Sequence, residues 1–327
     1  MRQMRQNGEL AEFHDLAPAE ESFRDAVLAG LTRRAKSIPC RFLYDARGSA
    51  LFEEICELPE YYLTRTEMAI LAEFAPEMAE CAGRYAQLIE FGSGASRKVR
   101  QLLAALDEPA AYVAIDISRE PLRRAADEVA AEFPEVPVVA VCADYLEPLR
   151  LPPLPARGEG RRVGFFPGST IGNFSPQDAI AFLAGCRRVV GRDGALLIGV
   201  DLKKEKAILD AAYNDSAGVT AAFNLNLLER INRELDADFD LDRFEHFAFY
   251  NEASGRIEIY IRSRADQIVT LAGRAIRFAA GERIHTEDSC KYTIPEFHRL
   301  AMRGGFRPGR CWTDRQELFS VHLLEAS

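Results

Sequence analysis

A glycine-containing segment, Glu90-Phe91-Gly92-Ser93-Gly94-Ala95-Ser96, follows a short apolar run and precedes a helical pattern. Glycines between a strand and a helix let the backbone approach a ligand closely. The dinucleotide-binding fingerprint needs a third glycine at position 97, where this chain has Arg97, so a pyrophosphate cradle is disfavoured. The segment suits a loop around the amino-acid part of S-adenosylmethionine, and a tight turn of any α/β protein is the alternative.

Two aspartates follow later strand-like runs, Asp116 after residues 112–115 and Asp144 after residues 136–141. At the end of a parallel strand a carboxylate can accept hydrogen bonds from both ribose hydroxyls, which suits Asp116, or from an adenine amino group, which suits Asp144. A strand-end aspartate can equally cap a helix or stabilise a turn. The order of glycine loop, Asp116 and Asp144 favours the S-adenosylmethionine site over either turn role.

The segment Gly168-Ser169-Thr170-Ile171-Gly172-Asn173 comes directly after the next strand-like run. The amide of Asn173 both donates and accepts hydrogen bonds, which suits a zwitterionic amino acid as the methyl acceptor. Its other possible role is to stabilise a glycine-rich turn.

These candidate residues require a parallel sheet to position them. Apolar strand-like runs at 88–91, 112–115, 136–141, 163–166 and 195–200 alternate with amphipathic helical stretches at 120–133 and 175–190, the second opening with Ser175-Pro176 as a predicted N-cap. The alternation predicts a doubly wound α/β fold.

A second, α+β lobe is predicted after residue 200. Residues 203–235 have a helical pattern, and the shorter alternating runs of residues 247–284 indicate antiparallel strands. A helix near residues 294–304 and an apolar run at 318–324 are expected to return to the sheet. The lobe is therefore expected to be inserted into the sheet domain.

Composition excludes several classes of protein. The formal charge of −9 gives no basic surface for a phosphate backbone, so nucleic acid is not an expected substrate. Seven scattered cysteines without a Cys-x-x-Cys pair argue against a disulfide framework and a zinc site, so no metal is expected. Because no signal peptide and no membrane-length apolar stretch is present, a cytoplasmic protein is predicted.

Several stretches resemble the histidine Nα-methyltransferases of ergothioneine biosynthesis, and in order they span nearly the whole chain. They are Phe42-Leu43-Tyr44-Asp45, Gly48-Ser49-Ala50-Leu51-Phe52, Leu58-Pro59-Glu60-Tyr61-Tyr62, the Gly92 loop, Gly168 to Asn173, Tyr213 through Phe223-Asn224, Asn232-Arg233-Glu234-Leu235 and Thr286-Glu287-Asp288-Ser289-Cys290-Lys291.

The resemblance implies a Rossmann-like class I S-adenosylmethionine-dependent methyltransferase core and a substrate-binding lobe. The core is expected at residues 65–203 and 291–327, and the lobe at 1–64 and 204–290. The residues that match the family's S-adenosylmethionine contacts are Gly92, Lys98, Asp116, Asp144 and Tyr145.

The resemblance also implies a histidine pocket, made of Tyr44, Phe52, Tyr61, Gly168, Asn173, Tyr213, Glu287 and Ser289. Asn173 and Tyr213 would hold the backbone end of the substrate. Tyr44 would stand near the amine, so Tyr44 and Asn173 are the candidate catalytic residues. Glu287 and Ser289 would bond the two ring nitrogens of the imidazole.

One position leaves the acceptor open. Ile259 falls where some family members place methionine against the substrate ring, so the apolar wall can differ in shape. A methyltransferase for another amine, such as that of tryptophan, and a non-catalytic protein that binds S-adenosylmethionine or an amino acid are the alternatives.

The reaction implied by the resemblance is trimethylation of the α-amino group of L-histidine to hercynine, the first step of ergothioneine biosynthesis. S-adenosylmethionine is the expected cofactor, L-histidine the expected small-molecule partner, and a monomer that contacts neither membrane nor nucleic acid the expected form.

Overall fold

A computed structural model describes residues 12–16, 22–94, 97–154, 158 and 160–327 of the chain. The strands are β1 (Glu12–Asp15), β2 (Lys36–Ser37), β3 (Gln87–Phe91), β4 (Ala111–Asp116), β5 (Val138–Cys142), β6 (Arg162–Phe166), β7 (Ala195–Asp201), β8 (Phe244–Asn251), β9 (Arg256–Ser263), β10 (Gln267–Leu271), β11 (Arg274–Phe278), β12 (Arg283–Cys290), β13 (Phe306–Thr313) and β14 (Phe319–Ala326).

The helices are α1 (Phe23–Leu31), α2 (Ala46–Glu57), α3 (Tyr62–Ala82), α4 (Arg97–Ala105), α5 (Arg119–Glu132), α6 (Pro176–Val190), α7 (Lys206–Ala212), α8 (Val219–Leu235) and α9 (Ile294–Arg303). Short 3₁₀ helices occupy Cys40–Leu43, Thr170–Asn173 and Leu241–Arg243.

The chain divides into two compact units. The core unit contains Thr66–Leu202 and Tyr292–Ser327 together with β1, and the second unit contains residues 22–65 and Lys203–Lys291. The expected assignment of residues 1–64 to the substrate lobe is wrong for Glu12–Asp15, because β1 pairs in parallel with β5 of the core sheet. Four residues carry too little pattern to reveal so distant a pairing.

The core unit is built on one sheet with the strand order β1-β5-β4-β3-β6-β7-β14-β13. Strands β1 to β7 of this sheet pair in parallel, while β14 pairs antiparallel with β7 and with β13. The predicted doubly wound Rossmann-like fold is confirmed. Strands buried on both faces need apolar side chains throughout, which explains why these strands read as continuous apolar runs.

Helix α6 of the core begins as the sequence predicts. Ser175 caps α6 by accepting a hydrogen bond from the backbone N–H of Asp178 at 3.2 Å, and proline opens the first turn. Thr293 and Glu296 form a reciprocal capping box at the start of α9. The predicted return of the C-terminus is confirmed by α9 and β14.

The second unit combines helices with a sheet of order β2-β12-β9-β8 and a separate β10-β11 hairpin. The predicted antiparallel strands are confirmed in β8, β9, β10 and β11. The helical pattern of residues 203–235 forms two helices, α7 and α8. The second starts after Gly218, whose φ of +76° is a left-handed conformation that ends the preceding turn.

Within the part of the chain that the structure describes, no helix has the length and apolar character needed to cross a membrane.

Candidate active site

The Gly92 loop lies at the carboxyl end of β3. Gly92 has φ +75° and Gly94 has φ +42°, which an L side chain rarely adopts. The N–H groups of Gly92 and Ser93 donate to the carbonyl oxygen of Ile115 at 2.8 and 3.2 Å, tying the loop to the end of β4. Ala95 and Ser96, the last residues of the predicted segment, lie outside the described residues.

Tyr145 lies beside this loop. A Cβ at Gly92 would stand 3.6 Å from a ring carbon of Tyr145, so the ring packs directly against the glycine. Phe91 and Phe166 support the ring from the core, with centroids 6.5 and 5.9 Å from that of Tyr145. The structure thus brings together two of the residues assigned to the cofactor.

Asp116 and Asp144 both stabilise turns. One carboxylate oxygen of Asp116 accepts the N–H of Ser118, and one of Asp144 accepts the N–H of Leu146, each at 2.8 Å. The turn role that the sequence left open is therefore present. It does not exclude ligand binding, because a carboxylate offers about four lone-pair positions.

The Asp116 carboxyl is strongly desolvated. Burial raises its pKa above the usual value, while backbone N–H groups, among them those of Ser118 and Gly94, act in the opposite direction. The bond from Gly94 joins Asp116 to the glycine loop. A carboxylate held beside a loop that leaves room for ligand atoms suits a ligand rich in hydroxyl groups.

Lys98 and Gly168 share a buried partner, Glu67 of α3. Glu67 is 1% exposed, pairs with Lys98 Nζ at 2.6 Å, and accepts the N–H of Gly168 with both carboxylate oxygens at 2.8 and 3.0 Å. Sequence analysis missed Glu67. Its signal was an acid directly before the apolar stretch of residues 68–72, on the buried side of a helix.

The segment that carries Asn173 is fixed by its backbone. Ser169 adopts a left-handed φ of +57°, and its hydroxyl accepts the N–H of Asp201 at 2.9 Å. Asn173 then ends the 3₁₀ helix Thr170–Asn173 and is half-buried. Gly168 and Asn173 belong to the core unit, whereas the other residues of the predicted histidine pocket belong to the second unit.

An aromatic cluster in the second unit contains Tyr44, Phe52 and Tyr61. Ring centroids lie 5.5 Å apart for Tyr44 and Phe52 and 6.4 Å apart for Phe52 and Tyr61. Tyr213 joins the cluster 6.1 Å from Tyr61. The ring centroid of Phe223 of α8 lies 5.4 Å from that of Tyr44 and 6.0 Å from that of Phe52, so Phe223 belongs to the cluster although sequence analysis assigned it no role.

Asp45 fixes the position of the neighbouring Tyr44. Its carboxylate caps α2 through the N–H of Gly48 at 2.8 Å and also bonds Asn226 Nδ2 and Arg233 of α8, at 2.8 and 2.7 Å. A helix cap that also binds a second helix holds the aromatic cluster between α2 and α8 in one arrangement.

Tyr44 is a poor base by itself. Desolvation raises the pKa of its phenol well above 10, and the Glu287 carboxylate acts in the same direction. The residue as a whole nevertheless keeps 39% of its surface exposed. Tyr44 can therefore accept a proton only if it donates its own hydroxyl proton to another group at the same time.

Glu287 and Ser289 lie two residues apart on β12, on the same face of the strand. In the pairing with β9, Ile259 stands directly opposite Glu287, so the variable apolar position adjoins the acid. Burial raises the pKa of Glu287 to about 7, although the cations of Lys291 and His285 lower it.

Ser289 is bonded to Tyr213 and to a lysine that sequence analysis did not assign. The Tyr213 hydroxyl donates to Ser289 Oγ at 2.9 Å, and Lys291 Nζ lies 2.8 Å from both oxygens. Tyr213, expected at the backbone end of the substrate, thus adjoins the residues expected at its ring. The two-residue spacing of 287, 289 and 291 could have pointed to Lys291.

Comparison with known proteins adds independent information. The family model described as histidine-specific methyltransferase, SAM-dependent, matches residues 23–326. A histidine N-alpha-methyltransferase of Mycolicibacterium smegmatis is 42% identical over 320 residues, which cover 96% of this chain and 98% of that protein.

Two further relatives differ from this one in length or in the activity that their names give. Ergothioneine biosynthesis protein 1 of Neurospora crassa is 35% identical over 298 residues, which cover 89% of this chain and 33% of the fungal protein. The L-tryptophan methyltransferase trpM of Psilocybe serbica is 26% identical over 334 residues, covering 93% of each chain. Given the match of the family model to nearly the whole chain, the chain belongs to the family of histidine-specific, S-adenosylmethionine-dependent methyltransferases.

Proposed function

We propose that the chain transfers methyl groups from S-adenosylmethionine to the α-amino nitrogen of L-histidine, three times in succession, and so forms hercynine in the first step of ergothioneine biosynthesis. The observation that carries the proposal is the pair of Glu287 and Ser289 on one face of β12. A carboxylate and a hydroxyl complement the N–H and the bare nitrogen of an imidazole.

The residues of the core unit fit the donor. Gly92 and Gly94 have backbone conformations that suit glycine. Among the described residues other than its chain neighbours, the atom nearest to a Cβ at Gly94 would be the carbonyl oxygen of Gly92 at 4.0 Å, which supports close approach of ligand atoms to the backbone there. Asp116 would accept bonds from the ribose, Asp144 from the adenine amino group, and Tyr145 would contact the ligand beside Gly92. When bound, S-adenosylmethionine supplies a methyl group on a positively charged sulfur.

The residues of this chain mainly position the amine. Asn173 and Tyr213 would hold the backbone end of histidine, and an oriented nucleophile lowers the barrier by several kcal/mol, up to roughly 7–11 in model reactions. Since the phenol of Tyr44 keeps its proton, Tyr44 would accept the amine proton only while donating its own to water.

The aromatic cluster, which includes Tyr44, Phe52, Tyr61 and Phe223, is suited to bind a product that carries a fixed positive charge. Aromatic faces attract quaternary ammonium groups and do not require an N–H donor from them. An amine that loses its hydrogens in successive steps can therefore remain in such a pocket.

Mass spectrometry of the purified chain with histidine and excess donor tests the proposal. We expect a gain of three methyl groups on histidine, and substitution of Asp116→Asn should reduce donor affinity by about tenfold or more through loss of charge-assisted bonds. Asp127→Asn, an exposed change on the following helix, is the matched control. Product that ends at one methyl group, or that forms only on tryptophan, would contradict the proposed reaction.

The proposal includes a cytoplasmic monomer that acts on a free amino acid rather than on nucleic acid. The net charge of −9 supports the choice of substrate class. The seven cysteines all lie in the described part of the chain and none is in a disulfide bond, which supports a reducing compartment. Sedimentation of the purified chain would test the monomer.

A further inference from the structure

Lys291 is a buried cation at the predicted imidazole site. It directly follows β12 and is 2% exposed, and its backbone N–H is fixed by the carbonyl oxygen of Gly255 at 2.8 Å. Burying an ammonium group is costly unless hydrogen bonds and an opposite charge compensate it. The position of this buried ammonium group beside Glu287 and Ser289, the two residues proposed to bind the imidazole, therefore needs an explanation.

The ammonium group fixes the direction of the hydrogen bonds around Ser289. A serine hydroxyl has one hydrogen to donate and two lone pairs to accept. Ser289 Oγ accepts from Lys291 Nζ at 2.8 Å and from the Tyr213 hydroxyl at 2.9 Å. An ammonium group cannot accept, and in the bond with Tyr213 the phenol is the donor, so the hydrogen of Ser289 points away from both groups.

Glu287 provides the complementary acceptor. It lies on the same face of β12 as Ser289, and the charge of Lys291 stabilises its carboxylate form. A ring placed against both residues therefore meets one acceptor and one donor. Only a neutral imidazole, with one N–H and one bare nitrogen, satisfies both.

We propose that Lys291 is a positioning residue that holds Ser289 as a hydrogen-bond donor, so that the site selects a single neutral tautomer of the histidine ring. This inference rests on the proposed function, since it takes histidine as the acceptor. It adds a determinant of specificity that acts through Ser289 and Glu287.

A double-mutant cycle tests whether Lys291 acts through Ser289. The dissociation constant of histidine would be measured by calorimetry with S-adenosylhomocysteine bound, for wild type, Ser289→Ala, Lys291→Met and the double variant. We expect each single change to weaken binding about tenfold or more, and the double variant to bind no more weakly than the weaker single one. Losses that multiply in the double variant would overturn the inference.

The ring of bound histidine gives a readout that a merely structural lysine would not change. Nitrogen-15 NMR of ring-labelled histidine in the S-adenosylhomocysteine complex should show one protonated and one bare nitrogen in wild type. In Lys291→Met, Ser289 can reverse, so we expect an imidazolium or a mixture of tautomers. The same single tautomer in the variant, or an imidazolium in wild type, would refute the proposal.

Two further variants separate this effect from misfolding. Lys36→Met removes another poorly exposed lysine, which pairs with Glu282 and lies on β2 next to β12, and it should leave the ring spectrum unchanged. Lys291→Gln keeps an N–H donor without the charge and replaces the methionine variant if that variant fails to bind S-adenosylhomocysteine. Wild type that does not methylate histidine would contradict the proposed function instead.

Discussion

Glu287 and Ile259 face each other across β12 and β9, so an acid suited to an imidazole shares its wall with an apolar side chain. The acid has a raised pKa of about 7 because it is desolvated. Aromatic rings without an N–H in the right place would displace water from this carboxylate without offering it a hydrogen bond, and that desolvation costs more than the hydrogen bond itself contributes.

We therefore predict that Glu287→Ala lowers kcat/KM for histidine roughly ten- to a hundredfold, because a bond to a charged group is lost. Donor affinity should hardly change. The preference for histidine over tryptophan, expressed as the ratio of their kcat/KM values, should decrease. It should decrease further if Ile259 is also replaced by a smaller residue. The measurement is the ratio of kcat/KM for histidine to that for tryptophan in both proteins.

Asp288→Ala is the matched control for this prediction. Asp288 is the next residue of the same strand and forms an ion pair with Arg256 at 3.2 Å and a hydrogen bond with His285 at 3.0 Å. Its removal should leave the ratio as in wild type. An unchanged ratio in folded Glu287→Ala would mean that the imidazole assignment is wrong.

At the scale of elements, α3 and β7 meet at a glycine. A Cβ at Gly199 would overlap Oε1 of Glu67 and would lie 3.0 Å from the ring of Phe319. The glycine thus leaves the space through which Glu67 reaches Lys98 and the N–H of Gly168. The absence of a side chain at Gly199 in β7 therefore allows Glu67 of α3 to hold the loop that contains Gly168.

We predict that Gly199→Ala destabilises the protein by about 1–3 kcal/mol, the usual cost of overpacking a core, and weakens methyl transfer by moving Glu67. Thermal unfolding and kcat/KM would be measured on the same samples.

Gly185→Ala is the control for the element-scale prediction. Gly185 lies inside α6. Among the described atoms outside the helix's own backbone, the nearest to a Cβ there would be Arg188 Nη2 at 3.7 Å, so this change should stabilise the protein by roughly 0.5–1 kcal/mol. A Gly199→Ala variant as stable and as active as wild type would show that the Glu67 side chain can be moved without consequence.

At the scale of the whole molecule, buried acids make stability depend on pH. Glu90 of β3 is 2% exposed, and burial raises its pKa from 4.5 to about 8, although the Tyr112 hydroxyl, which donates to it at 2.5 Å, and Lys98 lower it. The folded state therefore prefers the protonated acid. Stability from this group is complete below pH 4.5 and is lost as pH rises to about 8.

We predict that Glu90→Gln loses less stability than wild type between pH 5 and pH 9. Each unit of pKa shift corresponds to about 1.4 kcal/mol, so the two proteins should differ by a few kcal/mol at pH 9 and by little at pH 5. Thermal unfolding without donor at both pH values would measure it. Parallel curves would exclude Glu90 as the source, and exposed Glu120→Gln should follow wild type.

The sequence by itself determined the sheet that carries the site. Strands β3 to β7 are mostly apolar on both faces because both faces are buried, and this requirement is visible locally in each run of residues. The glycine loop, Asp116 and Asp144 each follow a strand of this sheet, so their order along the chain could be predicted together with the strands. Resemblance, rather than pattern, identified Glu287 and Ser289, because a polar residue in an amphipathic strand looks the same whether it binds ligand or water.

Only the tertiary structure decided which distant residues act together. Three sets of contacts are examples: the pairing of β1 with β5, the contact of Glu67 with Lys98 and Gly168, and the bonds of Lys291 to Tyr213 and Ser289. Each set involves residues that are far apart in the chain or that lie in stretches with an ordinary apolar or alternating pattern. Buried polar groups must find partners, but periodicity shows only that a residue is buried and not which partner it meets. Chain topology supplies that partner.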